Sequence, residues 1–208
     1  MTAGGVKGEV RIEEADRAER TIARRSAESR ATVPDLELSV NAQISHSPDD
    51  PHTVTAILAR ACAHALREVP RANAAYRDGH FELYSRINIG VIVAEDDVHT
   101  IPTVFDCDQK SIQELSEEIS KLAERATSAE LSPPELGGAT FTLWNAGPLG
   151  LDRATPLIVP PQAAALAAGA PSNGLIVLTL ACDHRILYGA RAARFLTLIR
   201  AMLSQGVS

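Results

Sequence analysis

The run from Leu175 to Ala181 is apolar on both faces that a strand presents, and it empties through Cys182 into Asp183-His184-Arg185. A strand with no polar face needs cover on both sides, so it belongs in the interior of a layered domain. Gly189 to Leu203 follows as a helix, with Ala193, Leu196, Ile199 and Leu203 on one face.

The rest of the chain mixes the two periods. Leu36 to Ile44 alternates apolar and polar residues, which predicts a strand with one buried face. Thr53 to Val69 keeps the 3.6 period up to Pro70 and predicts an amphipathic helix, entered from a turn at Asp49-Asp50-Pro51. Phe81 to Tyr84 and Ile87 to Ala94 read as strands, the second central. Ser111 and Glu114 form a capping box ahead of the stripe Ile112, Leu115, Ile119, Leu122 and Ala126. Thr140 to Asn145 is a further strand, and Arg20 to Ser29 a short basic helix. Strands and helices alternate without repeats or strict βαβ order, so an α/β two-layer sandwich with a mixed sheet is expected. Residues 1–19 are expected to be a loose arm and residues 20–208 one domain.

Lys and Arg number 20 against 26 Asp and Glu, a net charge of −6, which weighs against nucleic acid as a partner. The stretch from Leu157 to Ala170 is broken by Pro160 and Pro161 and is shorter than the ~20 residues a membrane span needs. Met1 to Gly8 lacks the apolar core of a signal peptide, so a cytoplasmic location is expected. Cys62, Cys107 and Cys182 read as buried free thiols, and no ligand pair with metal spacing occurs. His46, His52, His80 and His99 fall in polar turns and His64 on a helix flank. His184 differs, because it stands where a buried strand emerges, a position that combines rigidity with access.

The segment Ala181-Cys182-Asp183-His184-Arg185-Ile186-Leu187-Tyr188-Gly189-Ala190, with Ala193-Arg194-Phe195-Leu196 after it, resembles the D-H-R-x-x-D-G-A-x-x-A-R-F-L signature of dihydrolipoyl acyltransferases. These are the catalytic cores of 2-oxo acid dehydrogenase complexes. The resemblance continues through Arg20 to Ser29, Ala65 to Asn73, Asn88 to Val91, Phe141 to Gly147, Thr155-Pro156 and Pro160 to Ala163, roughly residues 20–203 in order. It implies a chloramphenicol acetyltransferase-like fold. It also implies His184 as general base, acetyl-CoA or another acyl-CoA as cosubstrate, and a homotrimer, or a multiple of trimers, with sites between subunits. By the same resemblance Asp183, Arg185 and an arginine of the first helix, Arg24 or Arg25, support the histidine loop, and Asn145 lies at the substrate.

Two positions depart from the family pattern. Its strand reads T-F-T-I-S-N, and the serine hydroxyl donates to the oxyanion; here Trp144 stands in that place. Thr142, on the same strand face, or the Trp144 indole N–H are the candidate donors, and Trp144 otherwise reshapes the acceptor tunnel. Tyr188 replaces the Asp or Asn that braces the loop in the family. The segments between Ile44 and Thr53 and between Gly169 and Gly174 are shorter than in the family, and no lipoyl or subunit-binding domain precedes the match. Together these features set the expectation of a stand-alone O-acyltransferase. It would acetylate a hydroxyl of a small natural-product intermediate, as similar relatives in tetronate pathways do. A dihydrolipoyl acyltransferase core and a noncatalytic trimeric scaffold are the alternatives.

Overall fold

The computed structural model describes residues 8–44, 50–95 and 98–206. Of the positions singled out above, residues 1–7, His46 and Asp49 lie outside the described residues. In chain order the helices and strands are α1 (Arg17–Thr32), β1 (Asp35–Gln43), α2 (Pro51–Glu68), β2 (Ala74–Arg77), β3 (His80–Leu83) and β4 (Ile89–Val91). Then come β5 (Val93–Glu95), β6 (Val98–Thr100), β7 (Thr103–Val104), α3 (Ile112–Thr127) and α4 (Pro133–Gly137). The last part of the chain forms β8 (Phe141–Asn145), β9 (Ala164–Ala168), β10 (Leu175–Asp183) and α5 (Gly189–Gln205).

Local chemistry places the helix starts. Asp16 and Glu19 exchange side-chain and backbone hydrogen bonds, so α1 begins at Arg17, inside the stretch expected to be an arm. Asp50 accepts from the Thr53 amide, and Pro51 presets the first turn of α2. The Ser111–Glu114 box opens α3 as its sequence predicts. Gly189 enters α5 at φ +45°, a conformation that a residue with a Cβ adopts only under strain.

Six strands form one mixed sheet in the order β1-β10-β9-β8-β4-β7. β8 runs parallel to β9 and β4, and the remaining pairs are antiparallel. The α/β sandwich with a mixed sheet is therefore the fold of the chain. Phe141, Leu143, Ala164, Leu166, Leu178 and Leu180 form one face, packed in a single core with Leu58 and Leu66 of α2, Leu115 of α3, and Phe195 and Ile199 of α5. Phe141 and Phe195 meet edge-on, with centroids 5.9 Å apart. The alternation of β-strand side chains sends Thr142, Trp144, Thr179 and Ala181 to the other face. There Ala181 packs with Val33, which follows α1, and with Ile158.

Two parts of the sheet differ from the sequence reading. β9 is a fully buried strand, where the sequence shows only an apolar stretch broken by prolines. Four of its five residues are alanine, which is a poor strand former and carries no period-two signal. The expected single strand from Ile87 to Ala94 is divided: after Val91 the chain leaves the main sheet and turns into the separate β5–β6 ribbon.

Candidate active site

The histidine loop is the continuation of β10. The register Asp35↔Asp183 sets β1 beside it, and the His184 amide donates to the Pro34 carbonyl at 2.9 Å. The Asp183 amide donates to Ala163, and the Ile186 and Leu187 amides donate to the Asp183 carbonyl. The Asp183 side chain is only 3% exposed, yet it is neutralised within its own loop. Arg185 donates to it twice, Nε to Oδ1 at 2.9 Å and Nη2 to Oδ2 at 2.6 Å, and the Arg185 amide adds a third bond. The carboxylate in turn raises the Arg185 pKa, chiefly through these hydrogen bonds. The Arg185 guanidinium lies 5.1 Å over the Tyr76 ring. Backbone and side-chain bonds thus fix the turn, while the His184 imidazole stays exposed.

Tyr188 sits at the start of α5, 52% exposed, with its ring centroid 6.3 Å from that of His184. Arg191 stacks 5.6 Å over the other end of this pair, on the Tyr188 ring. Cys182, next to the loop, is no nucleophile. Burial, reinforced by the Asp183 and Asp35 charges, pushes its thiol up to about 12, and its Sγ faces the Leu36 and Leu187 carbonyls.

The strand carrying the expected oxyanion donor gives three different outcomes. Trp144 is half-buried on the open face of β8. Thr142 shares that face as expected, but it is fully buried and its hydroxyl donates to Gln162 Oε1 at 2.7 Å. Its one proton is committed, so Thr142 holds the strand against the following segment and is not the oxyanion donor. Gln162 completes the tie by donating to the Ala139 carbonyl. Asn145, expected at the substrate, faces the helix layer, where its amide donates to Thr55 Oγ1 of α2 and its oxygen accepts from the Gly147 amide. It fixes α2 to the sheet and is removed from the ligand face. Arg24, expected beneath the histidine loop, points outward and pairs with Glu28 one turn along α1, at 3.5 Å.

Trp144 and α1 instead form the walls of a cleft of about 720 Å³, within the range of small-molecule sites. Its apolar lining includes Ile22, Ile101, Leu136, Trp144 and Leu157, with Arg17, Arg25 and His99 as the ionisable groups. Sequence reasoning placed His99 in a polar turn; the β5–β6 ribbon carries it to the cleft instead. Through the registers Trp144↔Ala167 and Ala167↔Thr179, Trp144 lies two strands across and four residues along from Asp183. At ~4.8 Å per strand and ~3.3 Å per residue their Cα atoms are roughly 16 Å apart. Among the described residues no group of three or more His, Cys, Asp or Glu is placed to hold a metal ion, and no helix is long and apolar enough to cross a membrane.

Comparison with known proteins gives the same answer by three routes. The model of the 2-oxoacid dehydrogenases acyltransferase (catalytic domain) matches residues 8–207. The dihydrolipoyllysine-residue acetyltransferase component of the pyruvate dehydrogenase complex of Rickettsia bellii is 30% identical, over 94% of this chain and 53% of that protein. Component 3 of the mitochondrial complex of Arabidopsis thaliana is 35% identical over 69% of this chain and 30% of that one. The chain thus spans about half, or less, of the length of these curated relatives. A probable dihydrolipoamide acetyltransferase from Listeria monocytogenes superposes with a TM-score of 0.87 at 26% identity, covering 94% of this chain and 95% of that one. The dihydrolipoamide acetyltransferase (E2p) of Azotobacter vinelandii gives 0.87 at 27%, over 95% and 92%; that structure was solved to define the catalytic roles of a serine, a histidine and an asparagine. A chloramphenicol acetyltransferase, 14% identical with a TM-score of 0.52, shares the fold. The chain belongs to the 2-oxoacid dehydrogenase acyltransferase catalytic-domain family.

Proposed function

We propose that this chain transfers an acyl group between CoA and an acceptor thiol or hydroxyl, with His184 as the general base. The observation that supports it most is the His184 loop itself: an exposed imidazole on a turn locked by Asp183 and Arg185 at the end of a buried strand. Neutral imidazole takes the proton of the acceptor S–H or O–H as the acceptor attacks the thioester carbonyl of acyl-CoA. The tetrahedral oxyanion then collapses, the C–S bond to CoA breaks, and the departing thiolate takes the proton back from the imidazolium. Among the groups on the Trp144 face of β8, the indole N–H is the donor left for the oxyanion once Thr142 is spent on Gln162.

A separation of roughly 16 Å keeps His184 and Trp144 of one chain from sharing a reacting atom. We therefore propose a trimer in which the histidine loop of one protomer closes over the Trp144 cleft of the next. A single species of three times the chain mass in light scattering supports this; a monomeric active enzyme contradicts it.

The acceptor favoured by the relatives is a dihydrolipoyl arm, because the curated proteins named above are dihydrolipoyllysine-residue acetyltransferases of pyruvate dehydrogenase complexes. This displaces the expectation of a natural-product alcohol as the first reading. Trp144 and Tyr188 still favour a small-molecule hydroxyl as the second. Of the serine, histidine and asparagine studied in the Azotobacter enzyme, the histidine is the one that the family resemblance finds retained here, as His184. Release of CoA thiol from acetyl-CoA with dihydrolipoamide, but not with alcohols, supports the first reading. Turnover with alcohols alone supports the second.

A further inference from the structure

We propose that the Trp144 cleft selects an acceptor with an apolar body and an acid group, and that Arg17 and Arg25 are its counter-charges. The cleft lining holds Arg17, Arg25 and His99 but no Asp or Glu. The other arginines of α1 are engaged: Arg24 with Glu28, Arg30 with Asp35, and Arg20 with the Ala15 carbonyl. Arg17 and Arg25 enter no ion pair among the described residues. They lie eight residues apart on one helix face, about 12 Å along the axis. Two unpaired cations thus flank an apolar floor built from Trp144, Ile101 and Leu136. A neutral apolar ligand leaves both guanidiniums without a partner. A ligand ending in a carboxylate or another acid group pairs with one of them and covers the floor with its body. A pocket of about 720 Å³ accommodates a body of eight or more carbons.

The acceptor role rests on the acyl-transfer reading, whereas the binding claim does not, so binding is measured first without CoA. Lipoate and lipoamide share one apolar body and differ in a carboxylate against a neutral amide. Calorimetric titration of the full chain is expected to show lipoate binding at least tenfold more tightly than lipoamide. Arg25→Gln or Arg17→Gln is expected to weaken lipoate about tenfold, the usual worth of a charged hydrogen bond, and to leave lipoamide within twofold. Equal affinity for the two ligands overturns the proposal. So does a loss of CoA affinity in the arginine variants with lipoate unchanged, which makes the cleft a CoA-phosphate subsite. A change of oligomer mass in those variants with neither affinity altered assigns the arginines to a subunit contact and likewise overturns it. If binding discriminates as expected but no acyl transfer follows, the anion subsite stands and the acyl-transfer reading falls.

Discussion

At the scale of single residues, the chemistry divides between a loop that is fixed and a strand that has been changed. His184 was identifiable from its place after a buried strand and from the surrounding motif. So was Trp144, from its place in a strand where the family carries serine. The fate of Thr142 was not visible, because its partner Gln162 comes from a segment 20 residues on. Asn145 is a different case. The same period of two that unites Thr142 with Trp144 sends the next residue to the opposite face, so the sequence already contained the argument for removing it from the ligand. If the indole N–H is the oxyanion donor, Trp144→Phe keeps the bulk and removes the bond. Its kcat is expected to fall by ~10²-fold with KM nearly unchanged, measured as CoA thiol release; an unchanged kcat assigns Trp144 to shape alone.

At the scale of elements, amphipathic and capped segments were legible and short or periodless ones were not. α3 follows from its capping box and stripe, and β10 from its apolar run. α1 starts earlier than its basic run suggests because the Asp16–Glu19 box lies ahead of it. β9 escaped notice because alanine contributes neither a period nor a strand preference, although its small side chains leave the width beside Trp144 that the indole takes. α4 offers a test of how the cleft wall is held. Leu136 lines the cleft, and the neighbouring Glu135 accepts from Arg125 of α3 at 2.6 and 2.9 Å. Those bonds, with help from Ser132, hold the Glu135 carboxyl down to about 2. A depressed folded-state pKa stabilises fully above the unfolded value near 4.5 and is lost as pH falls toward 2. Glu135→Gln is therefore expected to lower the denaturation midpoint at neutral pH, with the gap to the parent closing below pH ~4.5. A gap independent of pH contradicts the tether.

At the scale of the whole molecule, the sandwich separates two halves of a reaction site. Helices α2, α3 and α5 fill one face of the sheet, while α1 and the segment around Ile158 cover part of the other and leave the Trp144 cleft. The histidine loop projects from the end of the sheet, exposed, with Tyr188 beside it. The layered fold was legible from strand and helix periods. The cleft was not, since it arises where α1, the β5–β6 ribbon and β8 converge from distant parts of the chain. The account rests above all on His184 as the base of a CoA-dependent acyl transfer. Its most direct test is the rate of CoA thiol release from acetyl-CoA with dihydrolipoamide, or with an alcohol that the parent accepts, for the parent and for His184→Ala. The variant is expected to fold normally and to lose ~10²–10⁴-fold in kcat. A His184→Ala protein that turns over at the parental rate contradicts the account.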